Sequence, residues 1–155
     1  MTARERIVVV GDGMAGARFV TEVRARDPRR DVVVLGAETE PAYNRILLSD
    51  VLAGRLDTGD IALPEPPGPV ERRRGVRVVR IDRRARTVHT DDGRDVAYGA
   101  LVLATGSRAV LPPIDGLVRD DSTLSEGVAA FRTLDDCRRM LAYARSARRA
   151  VVLGG

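Results

Sequence analysis

Lysine and tryptophan are absent, cysteine and histidine occur once each, and aromatic side chains make up 3% of the 155 residues. Each absence closes a class of function. A lone Cys137 cannot form an internal disulfide or a CxxC redox pair, so nothing points to an oxidising compartment. A lone His89 has no second histidine to build a catalytic metal centre, so no metal site is expected. No apolar run approaches the roughly 20 residues of a membrane span. The start MTARERIVVV leads from charge directly into a strand-like run, unlike a signal peptide, and the expected location is cytoplasmic. The formal charge is +4 and every basic residue is arginine. The densest basic spots, Arg72 to Arg74 and Arg83, Arg84 and Arg86, lack the aromatic platforms of single-strand binders. Nucleic acid is therefore not an expected partner. What remains is a chain with 44% apolar residues, enough to bury a core.

The most informative stretch is IVVVGDGMAG, 7–16. Four β-branched residues, Ile7 to Val10, suit a strand buried on both faces of a parallel sheet. Gly11, Gly13 and Gly16 then fit GxGxxG, in which the glycines provide a tight turn, an open approach for a pyrophosphate and close helix packing. A helix should follow, with Ala15, Phe19, Val20 and Val23 on one face and Asp27 and Pro28 as its stop. Its N-terminus favours an anion, because unpaired N–H groups and the positive end of the helix dipole meet there. Met14 and Ala15 are small or adaptable enough to leave room.

DVVVL at 31–35 reads as a second buried strand that completes a βαβ unit. An acid near its end should accept hydrogen bonds from an adenosine ribose; Glu38 is the candidate and Glu40 a competitor, 38 lying 27 positions beyond Gly11. Residues 46–53 carry apolar side chains at helical spacing, with Arg45 just ahead, where it would either neutralise a pyrophosphate or pair with Asp50 or Glu40. Residues 57–69 are rich in proline and glycine and read as irregular. Runs at 76–81, 87–90 and 95–97 predict an antiparallel meander, with His89 as a strand residue. ALVLATGS places another buried strand at 101–104 and a tight turn at 105–107. Beside the first strand, that turn would share the carboxyl edge of the sheet with the glycine loop, and two such turns can enclose a ligand longer than a mononucleotide. Thr133 and Asp136 predict a capping box for a helix running to about Arg145, with Cys137 in its apolar stripe. The final AVVLGG, 150–155, repeats the opening motif as another strand running into glycines.

Together, GDGMAG, EPAYNRILLSDVLAG, LVLATGS, PPIDG and AVVLGG resemble the FAD-dependent pyridine nucleotide oxidoreductases. Within them, YNR followed by ILLS is most similar to the flavin region of NAD(P)H nitrite reductase large subunits, in the branch that also holds ferredoxin and rubredoxin reductases. The resemblance implies that Gly11, Gly13, Met14, Ala15 and Gly16 cradle an FAD pyrophosphate, Glu38 holds the ribose, and Arg45 reaches the phosphates or the flavin side. Ala104, Thr105 and Gly106 would border the FAD. NAD(P)H would be the co-substrate and an electron acceptor protein or domain the partner, with no catalytic acid, base or nucleophile required of this chain.

The implied fold is α/β, a Rossmann-type parallel sheet with an attached antiparallel β-meander, truncated at the start of a second nucleotide-binding unit. The implied domains are 1–116, binding FAD, and 117–155, a linker, helix and first strand of a truncated NAD(P)-binding domain. Three departures stand out. Asp50 occupies a position where many ferredoxin-reductase relatives have lysine. PVERRRGVRVVRID looks too short for the helix and third parallel strand that usually precede the meander. The NAD(P)H unit only begins at AVVLGG. The chief alternative is a non-catalytic dinucleotide-binding or interaction module, supported by that short segment. A short-chain dehydrogenase fits poorly, since its tyrosine–lysine pair needs a lysine.

Overall fold

The structure, a computed structural model, describes residues 5–154. These fall into two compact units, one of residues 5–44 with 62–106 and the other of residues 45–61 with 107–154.

The first unit is built on a four-stranded parallel sheet. Its strands are β1 (Ile7–Val10), β2 (Val32–Gly36), β3 (Glu71–Arg74) and β7 (Ala100–Leu103), in the spatial order β3-β2-β1-β7. Every pairing in it is parallel. The remaining strands, β4 (Val78–Asp82), β5 (Thr87–Thr90) and β6 (Asp95–Ala97), form the expected antiparallel meander.

Period-two alternation explains why the central strands are apolar on both faces. Val8, Val10, Val33 and Leu35 face Val88 and Val96 of the meander. Val9, Val32 and Val34 face the opposite way, onto Val20 of helix α1 (Met14–Arg26), with Phe19 and Val23 packed alongside. A sheet covered on both sides in this way needs continuous Val/Leu runs, and β1 and β2 supply them. The last turn of α1 carries Arg24, which is buried and donates through its guanidinium to the carbonyls of Pro28, Arg30 and Pro69.

The segment 69–81, expected to be too short for both a helix and a third parallel strand, forms the strand alone, with no helix between Leu52 and β3 among the described residues. Glu71–Arg74 pairs with β2 in parallel register, Val33 opposite Glu71 through Gly36 opposite Arg74. The charge of ERRR hid it: an edge strand needs only one neighbour, and its arginines find acidic partners instead of a core. The meander accordingly starts at Val78 rather than Val76.

In the second unit, the helix expected over 46–53 is a 3-10 turn, Arg45–Leu47, leading into the short helix α2 (Leu48–Leu52). Helix α3 (Leu134–Ala144) has the complete predicted capping box: the Thr133 hydroxyl accepts from the Asp136 N–H, and the Asp136 carboxylate accepts from the Thr133 N–H. Its Cys137 is buried, as a packing residue should be, and burial pushes the thiol above its ordinary range. The strand expected at 150–155 is not formed by residues 151–154, and Val151, Val152 and Leu153 are exposed. A doubly buried strand needs neighbours on both edges, and no strand among the described residues pairs with this one. Gly155 lies outside the described residues.

Candidate functional site: a glycine loop at the carboxyl edge of the parallel sheet

Because β7 returns beside β1, the glycine loop and the Ala104–Gly106 turn emerge at the same carboxyl edge of the sheet. The Ala104 N–H donates to the Val10 carbonyl at 2.8 Å, and the Gly11 N–H to that of Leu35 at 2.8 Å. The three glycines separate by task. Gly11 has φ of +112°, and a Cβ there would lie 2.1 Å from the Ala104 carbonyl oxygen, so its bare backbone lets the loop and the turn meet. A Cβ at Gly16 would lie 2.1 Å from the Gly11 carbonyl oxygen, which holds the first turn of α1 against the loop.

Gly13 is different. A Cβ there would meet nothing within 4 Å, so no packing inside the protein calls for glycine. It is the N-cap of α1 and provides no side-chain hydrogen bond to the helix terminus. Met14 and Ala15, on the first turn, are exposed, as are Thr105 and Gly106 across from them, while Ala104 is half-buried. The result is an open cradle of backbone at a helix N-terminus, the arrangement that accepts a phosphate group.

Glu38 follows β2 at the same edge. The phenol of buried Tyr43 donates to its Oε2 at 2.6 Å, a charge-assisted bond that fixes the carboxylate. The loop is sewn to the segment after β3: Val76 N–H donates to the Gly36 carbonyl at 2.9 Å, and Gly75 N–H to that of Glu38 at 3.0 Å. The ribose candidate thus sits one strand away from the glycine loop, where a dinucleotide laid across the sheet edge would carry its adenosine.

Arg45 belongs to the second unit, where it opens the 3-10 turn and donates through Nη1 to the Arg132 carbonyl. Asp50 pairs with Arg55 at 2.6 Å. On the meander, His89 donates through Nδ1 to Asp95 Oδ1 at 2.5 Å and accepts at Nε2 from Arg80 Nη2 at 2.7 Å.

Tyr43 and Asp12 are not among the expected site residues. Tyr43 enters the sequence reading only as part of YNR, and its place five residues after Glu38 is the further signal. Asp12, the variable position of GxG, is buried beneath the loop and bonded to Arg72 of β3. Arginines at alternate positions of a strand, 72 and 74, were the available sign that a buried acid faces them.

The sequence profile described as pyridine nucleotide-disulphide oxidoreductase matches residues 5–155. Nitrite reductase [NAD(P)H] of Bacillus subtilis (strain 168) is 37% identical over 98% of this chain, which covers 19% of that protein. The ferredoxin–NAD(+) reductase component of the anthranilate 1,2-dioxygenase system of Burkholderia cepacia is 38% identical over 96% of this chain and 36% of its own length. Among solved structures, the covalent putidaredoxin reductase–putidaredoxin complex superposes with a TM-score of 0.79 at 26% identity, covering 93% of this chain and 34% of the other. The chain therefore spans about a fifth to a third of these relatives.

Proposed function

The chain belongs to the pyridine nucleotide-disulphide oxidoreductase family, and from that membership we propose that it is the FAD-binding part of an NAD(P)H-dependent flavoprotein, passing electrons through FAD to an acceptor protein or domain. The parent reaction is of the nitrite reductase or ferredoxin reductase kind, in the cytoplasm. The observation that carries the cofactor reading is Gly13: a glycine that the protein's own packing does not require, placed where the backbone must lie open to an anion.

The residues present fit the group. The N-terminal N–H groups of α1, at Met14, Ala15 and Gly16, would hold the pyrophosphate, with the helix dipole opposing its charge. Glu38, oriented by Tyr43, would accept from the ribose hydroxyls. Ala104, Thr105 and Gly106 would border the cofactor across the loop. For Arg45 the assignment to the phosphates or flavin side rests on the resemblance of its segment. Bound flavin supplies hydride acceptance and onward electron transfer; the chain's own contribution is binding and orientation, with no side chain required as acid or base.

The test is an absorption spectrum of the purified chain after incubation with FAD and removal of unbound flavin by gel filtration. Retained flavin absorption that is lost in Gly13→Val and weakened in Arg45→Ala supports the reading. A wild-type chain that retains none overturns it for this chain, and an unperturbed Gly13→Val removes the glycine loop from the site.

A further inference from the structure

An acid in the phosphate loop should work against phosphate binding, yet Asp12 stands between Gly11 and Gly13, immediately before the helix N-terminus. Its side chain is only 5% exposed. Room for it is made by Gly36, where a Cβ would lie 2.9 Å from the Asp12 Cβ. Its Oδ1 accepts from Nη1 of Arg72, whose side chain is only 9% exposed. Its Oδ2 is buried without a hydrogen-bond partner, 3.5 Å from Nε of Arg74. Glu65 holds both arginines from outside, at 3.0 Å to Arg72 Nε and 2.9 Å to Arg74 Nη2.

We infer that Arg72 is a positioning residue for the phosphate loop: its buried guanidinium neutralises Asp12, so that the cradle above presents a positive helix terminus to a pyrophosphate rather than a carboxylate. This rests on the FAD reading of the same loop. The physical reason is geometric and electrostatic. A side chain this buried is shielded poorly by water and salt, so an unbalanced charge on it acts at close range on any anion at the loop. Glu65, largely exposed, is a weak competitor for Arg72, because water screens its charge. Arg74, with Nε near Oδ2 and a side chain 30% exposed, is the weaker second cation.

The experiment measures FAD affinity by quenching of flavin fluorescence for the wild type, Asp12→Asn, Arg72→Met, Arg72→Lys and the double variant Asp12→Asn/Arg72→Met, with melting temperatures alongside. Charge neutralisation predicts that Arg72→Met weakens FAD by about tenfold or more and that the double variant returns to within about threefold of wild type. It also predicts that Arg72→Lys keeps most of the affinity and that Asp12→Asn tightens binding. A double variant as weak as Arg72→Met overturns the inference, since Arg72 then touches the ligand or only supports the fold. If Arg72→Met does not fold, Asp12→Asn decides: tighter binding supports the inference, and equal or weaker binding overturns it. A wild type that binds no FAD overturns the cofactor reading and this inference with it, whereas a wild type that binds while Arg72→Met binds equally well overturns the inference alone.

Discussion

Three glycines within the six residues 11–16 carry distinct physical burdens, and single substitutions should separate them. At Gly11 any side chain meets both a positive φ and a carbonyl oxygen 2.1 Å away, and backbone cannot yield as a flexible side chain would. Gly11→Ala should therefore cost about 3 kcal/mol or more, read as a fall in the denaturant midpoint. Gly13→Val meets open space, so its cost should stay near the 1 kcal/mol or so of a poorer N-cap, while flavin retention is lost. Equal destabilisation by the two would mean that Gly13 serves packing after all. The motif itself was legible in the sequence, but the identity of the atom that each glycine accommodates was not. The partner of Gly11 is Ala104, 93 positions away, and only strand pairing brings the two together.

At the scale of elements, α1 is anchored at its far end by Arg24 rather than by an apolar plug. Arg24→Met preserves the stem but leaves the Pro28, Arg30 and Pro69 carbonyls without their donor. A loss of about 3 kcal/mol is expected from the three charge-assisted bonds removed together, with faster amide exchange at Arg29, Arg30 and Val70 as the local signature. The meander is held differently, through exposed carboxylates in its turns. The Ala85 N–H bonded to Asp82 and the Thr90 hydroxyl bonded to Asp92 hold these carboxyls below the usual range. Because the folded values are depressed, their stabilisation is present above the unfolded carboxyl value of about 4 and is lost as pH falls through the folded one. Urea midpoints should accordingly drop between pH 5 and pH 3 by less in Asp82→Asn/Asp92→Asn than in the wild type. The meander strands were readable from alternation and the Asp-Asp-Gly turn. The third parallel strand was not, because Glu71–Arg74 has no apolar face and is a strand only by virtue of its pairing with β2.

For the whole molecule, the described residues contain a single strand–glycine loop–helix unit, and residues 151–154, which repeat the opening motif, are exposed and outside any strand. The 155-residue chain should consequently retain FAD yet reduce it slowly with NADH, while dithionite bleaches it fully. Bleaching by NADH at enzymatic rates would show that nicotinamide binding does not need a second such unit. The sequence by itself determined the two buried central strands, the glycine loop, the capped helix and, through their combination, the family, because these depend on local periodicity, backbone conformation and short-range hydrogen bonds. The strand expected to be buried at 101–104 is instead the edge strand β7, with Leu103 exposed. Only the tertiary structure decided that β7 closes against β1, that an all-charged segment is a strand, and that Asp12 lies buried against Arg72. Each of those depends on which distant residues become neighbours, and the energy of a charge or a bare backbone atom is set by its neighbours rather than by its place along the chain.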